Sequence, residues 1–307
     1  GDTDILKGEI YVEGGNGIGD TSRVNSHDGT AFRLNSDETI GSLSDGGGGS
    51  GEVHLNSNTL TTGGNDESTT FSGLINGGFA SGLTKEGTGT FTLEGANTFT
   101  GVTRVNEGEL LLDADAGEAI SRQIFIGDGV GGQGVDILRT AQDDQIGDDA
   151  HINLFGSGRF DIDDNDEKVG DLISAASTAQ VFLGGGSSSN LLTIDQQGDT
   201  TYAGSIEESG DVRVEGAGNL TLSGDNTYSG DMEIGGNATV ILGSDDALTT
   251  NQTVTFDGGT LALDGKDVET GDWSFAADSF LDFLGKGNGV DEGIITFDEL
   301  LSSSNTL

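Results

Sequence analysis

Apolar and polar positions alternate in short runs along most of this chain, as in Phe91-Thr92-Leu93 and Thr260-Leu261-Ala262-Leu263. A period of two is the spacing of a strand that buries one face and exposes the other. The runs end after a few residues in Gly, Asn, Asp or Ser, the residue types that let a chain turn a corner. No segment carries a helical period. The pattern predicts a protein made of short strands and tight corners, with its Val, Ile, Leu and Phe stacked on an inner face.

Self-similarity sharpens that picture. Residues Gly87 to Gly101 (GTGTFTLEGANTFTG) return in the second half of the chain as Gly216 to Gly230 (GAGNLTLSGDNTYSG). Ile40-Gly41-Ser42-Leu43 recurs as Val169-Gly170-Asp171-Leu172 at the same offset, and Phe71 to Ile75 recurs as Tyr202 to Ile206. Leu6 to Val12 echoes Asn106 to Leu112, and Thr253 to Leu263 echoes His151 to Ile162. The chain thus reads as a single β-solenoid over 1–307. It divides into a partial repeat (1–19), a first unit with a linking insertion (20–147), a second unit (148–248) and a divergent partial unit (249–307). Repeat architectures grow along one axis, each coil burying its apolar face on the next. A parallel β-helix with about three strands per coil and roughly 22 residues per coil would make about 14 coils, about 65 to 70 Å long.

Composition fits this reading and removes several functions. There are 55 Gly, no Pro and no Cys, so corners are frequent and disulfides play no part. Against 12 Lys and Arg stand 53 Asp and Glu, a formal charge of −41. Such a chain repels nucleic acid and anionic lipid. No apolar run reaches the roughly 20 residues of a membrane span, and the leader of a secreted protein is expected to have been removed or to lie outside this chain.

Candidate chemistry is sparse. The densest acidic run is Asp161-Ile162-Asp163-Asp164-Asn165-Asp166-Glu167. Asp161, Asp163 and Asp166 are the candidate Ca²⁺ ligands, since hard cations favour several oxygens on one loop. The run departs from an EF-hand, with Asp166 where Gly belongs and Leu172 where the bidentate Glu belongs, so a solvated turn is the plainer reading. No cofactor is required. A β-helical polysaccharide lyase or hydrolase is the enzymatic alternative, on the paired carboxylates near a cation around Arg159, Asp161 and Lys168. Acidic clusters are so common in this chain that the grouping carries little weight. His27, His54 and His151 have no metal or nucleophile spacing. The expectation is therefore a protein that is not an enzyme. Asn97 and Asn226 read as turn residues bonding nearby backbone, and Phe99 and Tyr228 as packing residues. Gly46 to Gly49 and Gly127-Asp128-Gly129 read as loops, because no helix follows to hold a phosphate.

The string from Gly82 to Leu93 (GLTKEGTGTFTL), then Gly95 to Gly101 and Val105 to Leu110, resembles the autotransporter-associated β-strand repeat. The resemblance implies a right-handed parallel β-helix of the passenger type, displayed on a bacterial cell surface or released outside it, with adhesive, biofilm or matrix-forming roles. It does not extend to the outer-membrane β-barrel that follows the passenger in true autotransporters. The partners it implies are surface or carbohydrate ligands, or further copies of the chain. The apolar tail from Ile294 to Leu307 is expected to add one more strand, which makes an end-to-end homopolymer or strand-donating filament the alternative function.

Overall fold

In the computed structural model, residues 1–46, 51–186, 190–276, 279–282, 295–296 and 300–302 are described. They form an all-β parallel solenoid without helices, in two compact units, 1–160 and 161–307.

In the first unit, Thr90–Leu93 lies between Thr69–Phe71 and Glu109–Leu112, parallel to both. Leu93 falls opposite Phe71 on one side and Leu112 on the other, and all three are fully buried. The alternation of Thr90-Phe91-Thr92-Leu93 is thus a register, with Phe91 and Leu93 facing in and the threonines facing out. A second stack contains Glu38–Thr39, Thr59–Thr62, Gly82–Lys85, Val102–Val105, Gln123–Ile126 and His151–Leu154. Fully buried aliphatic side chains stabilise such a stack by about 1.5 to 3 kcal/mol each, upper values that chain entropy largely offsets.

The second unit repeats the plan. One stack runs from Glu167–Val169 through Leu191–Gln196, Asp211–Gly216, Met232–Gly235 and Val254–Asp257 to Trp273–Phe275. The other runs through Asp199–Tyr202, Asn219–Leu222, Thr239–Leu242, Thr260–Ala262 and Phe280–Asp282. Near the end of the chain the core becomes aromatic. Phe256 stacks on Phe275 with ring centroids 4.7 Å apart and meets the buried Trp273 at 5.3 Å. The tail contributes strand as expected, Ile295–Thr296 beside Val268–Glu269 and Leu300–Ser302 beside Trp273–Phe275. Residues 294, 297–299 and 303–307 of that tail lie outside the described residues.

Two expectations change. Among the described residues the coils number about 13, where about 14 were expected for the chain. Many coils take an even step, as from Thr200 to Leu220 to Val240, but Leu110 pairs with Leu138, a markedly longer one. The loop around Gly127 to Val135 swells that coil, and swollen coils leave fewer of them in a fixed length. Nor does every coil carry three strands. Among the described residues of the first unit a third stack holds Gly8–Val12, Thr30–Leu34, Glu52–His54 and Leu74–Asn76 and no further strand. Above Leu74–Asn76 the strand is replaced by a corner, which is where the repeated motif sits.

Candidate functional site

The corner is built by one side chain. In the first unit the Ile75 amide donates to Asn97 Oδ1 at 2.8 Å, while Asn97 Nδ2 donates to the Ala119 carbonyl at 2.9 Å. The Asn97 amide therefore does what a peptide group does in a strand, accepting from one coil and donating to the next. The adjoining Thr98 amide donates to the Ile75 carbonyl at 3.0 Å, so the ladder continues through the corner. The second unit reproduces each bond: Ile206 N–H to Asn226 Oδ1 at 2.8 Å, Asn226 Nδ2 to Ala247 O at 2.7 Å, and Thr227 N–H to Ile206 O at 2.9 Å. Both asparagines were expected to bond neighbouring backbone within a turn. They bond the backbone of other coils instead, because the solenoid places the coil above and below within reach of one amide. Phe99 and Tyr228 follow two residues later and are buried, as packing residues should be.

The glycines around the motif are steric requirements of stacking. A Cβ at Gly95 would collide with the Gly73 carbonyl oxygen, and one at Gly224 with that of Gly204. No larger residue fits where consecutive corners touch through their backbones.

The least anticipated residue of the motif is Lys85, which is 0% exposed. Its Nζ donates to the carbonyls of Gly87 (2.6 Å), Glu86 (2.8 Å) and Glu107 (3.1 Å), closing a corner whose carbonyls have no strand partner. The signal was present in the sequence: alternation in Gly82–Lys85 places Lys85 inward with Leu83. Burial brings the ammonium down from its ordinary 10.5 to about 8. Between those values the unfolded lysine holds a proton that the folded one has released, so stability rises with pH. Urea unfolding should show a gain on the order of 2 kcal/mol from pH 8 to 10, and Lys85→Met should abolish it. Parallel pH profiles for the two proteins would refute the assignment. The buried phenols of Tyr202 and Tyr228, pushed up by burial, oppose this trend only above pH 10.

Beside Lys85 lies a cavity of about 370 Å³, lined by Glu86, Glu107, Asp128, Val130, Val135 and Asp136 among others. The glycine-rich loop after Gln123–Ile126 forms one wall, and it is a loop as expected. Asp136 is 1% exposed, and burial raises its carboxyl above the usual range.

The acidic run of the second unit is a turn in which Asp163 and Asp164 have positive φ. The Asp163 amide donates to Asp161 Oδ1 at 3.1 Å, Asp164 accepts from Gly186 N–H, and Asp166 Oδ1 accepts from Leu191 N–H at 2.8 Å. The carboxylates of Asp164 and Asp166 thus reach backbone amides of the following coil. Among the described residues no group of three or more His, Asp or Glu side chains has a metal-holding arrangement. Lys168 is engaged elsewhere, 2.9 Å from Glu215 and 3.1 Å from Asp195. Among the described residues no helix is long and apolar enough to cross a membrane.

No curated protein and no solved structure matches the chain. A family model does: residues 83–112 and 213–263 match the passenger-associated-transport-repeat, and the corners built by Asn97 and Asn226 fall within the two matched stretches.

Proposed function

We propose that this chain is a non-enzymatic structural and adhesive stretch of an autotransporter-like passenger, presented on a bacterial surface or in the matrix around it. The observation that carries the reading is the use made of the repeat's own residues. Asn97, Asn226, Phe99, Tyr228, Gly95 and Gly224 are all spent on joining one coil to the next. A motif whose distinctive side chains face the stack propagates a scaffold, and leaves the outward positions of each strand open to vary with the ligand. The high negative charge suits such a role, since it keeps an exposed surface soluble and free of nucleic acid.

Antibodies raised against the purified chain should label intact cells of the source bacterium, and an added protease should strip that label without lysis. Labelling confined to permeabilised cells would overturn the proposal.

A further inference from the structure

Several cations among the described residues of this acidic chain are clamped by carboxylates on its surface. Arg23 lies 2.6 Å from Glu67, Arg33 3.0 Å from Glu9, Arg139 3.2 Å from Glu109, and Arg213 3.0 Å from Glu215. The Arg33 bond, helped by Tyr11, holds the Glu9 carboxyl down at about 2. Arg104 and Arg122 differ. Among the described residues neither forms an ion pair, although carboxylates outnumber cations 53 to 12. Each guanidinium lies over a phenyl ring instead, Arg104 at 4.4 Å from the centre of Phe125 and Arg122 at 5.7 Å from that of Phe79.

The setting of these pairs is unusual in three ways. Phe79 is 77% exposed, on the turn between Leu74–Asn76 and Gly82–Lys85, so it forgoes about 2 kcal/mol of burial. Arg122 has φ +71, a conformation that long side chains adopt at a cost on the order of 1 kcal/mol. Its carbonyl is held by the His151 amide at 2.6 Å. Phe79 and Arg122 both line a groove of about 300 Å³, together with Gln123, Asp149 and His151. The strip continues along the same strand stack, where Arg104 is paired in register with Phe125 and Phe125 stacks on the exposed Phe155, centroids 6.4 Å apart.

We propose that this strip binds an acidic saccharide, a glycan whose sugar rings carry carboxylates. An open phenyl face accepts the polarised C–H face of a pyranose, and a guanidinium fork matches a carboxylate. Gln123 and Asp149 supply partners for hydroxyls. The groove lies at the small end of ligand pockets, about 300 to 1,000 Å³, which suits one sugar ring, and the second arginine–phenylalanine pair offers the next subsite. The −41 chain as a whole repels an anionic polymer, so binding here depends on Arg104 and Arg122, which have no carboxylate partner among the described residues, outweighing Asp149 in the groove lining. An acidic glycan is thus the ligand class for the adhesive half of the function proposed above, on which its assignment rests.

The test is calorimetric titration of the full chain with a short oligogalacturonate and, separately, the neutral galactose oligosaccharide of the same length. The uronate should bind and the neutral sugar should bind at least tenfold more weakly. Phe79→Ala should weaken uronate binding at least tenfold. Arg122→Gly suits the backbone there, so it should keep or raise the melting temperature while erasing the preference for uronate. Absence of binding, equal binding of both sugars, or binding unchanged in both variants would overturn the proposal. So would a concentration-dependent association of the wild-type chain that Phe79→Ala abolishes, which would assign the strip to a second copy. Surface labelling is read independently, so failure here leaves the location of the protein standing.

Discussion

Asn226→Ala is expected to destabilise the second unit by about 2 to 5 kcal/mol, a large part of the total stability of an ordinary domain. Asn226 is 6% exposed, and its amide is the partner of both the Ile206 N–H and the Ala247 carbonyl. Truncation strands these two groups on successive coils, and each buried unsatisfied group costs about 1 to 3 kcal/mol. Asn226→Asp separates the two bonds. It keeps an acceptor for Ile206 but turns a carboxylate oxygen toward the Ala247 carbonyl, so at pH 7 it should cost at least as much as alanine. Its folded carboxyl is then raised above the unfolded value, and lowering the pH through that raised value should recover stability as the protonated acid regains a donor. Urea titrations of the three proteins at pH 5 and pH 7 measure both effects. An alanine variant within about 0.5 kcal/mol of wild type would show that the side chain is a turn residue after all.

Much of this was legible in the sequence, for a physical reason that also explains what was not. Alternation is a local property, so the strands around Phe91, Leu93 and Leu222 and their buried faces follow from a few neighbouring residues. The return of the Gly87 to Gly101 string as Gly216 to Gly230 revealed the solenoid because each copy must make the same contacts. What needs the coil step was hidden. Asn97 reaches Ala119 only because one full coil returns the chain to the same corner, and no local rule for asparagine anticipates that. Phe79 and Arg122 are distant in sequence, and their meeting depends on two successive coil lengths. Lys85 was visible by its inward parity, yet a lysine on a buried face reads as an interruption until the carbonyls it closes are seen. The coil count slipped for the same reason, since insertions such as the loop near Gly129 lengthen a coil without altering the pattern of its strands.

Leu93→Asp should have the largest effect of all, collapsing the coils around it. Leu93 is fully buried between Phe71 and Leu112 in the parallel register of three strands. Loss of the leucine alone, as in Leu93→Ala, should cost about 2 to 5 kcal/mol through lost burial and the cavity left behind. The aspartate adds a carboxylate with no cation or donor in its layer, and burying it ionised costs several kcal/mol more. The chain can escape that penalty only by taking the proton or by opening the strand to water. In a stack where each coil is held chiefly by its two neighbours, opening is local and spreads outward from the break. Hydrogen exchange should therefore show Thr90–Leu93 losing protection first, with Thr69–Phe71 and Glu109–Leu112 next. Leu93→Ala should keep protection in all three strands at reduced stability. Protection in Leu93→Asp equal to that of the wild type at pH 7 would place residue 93 at the surface and disprove the inward register of this stack.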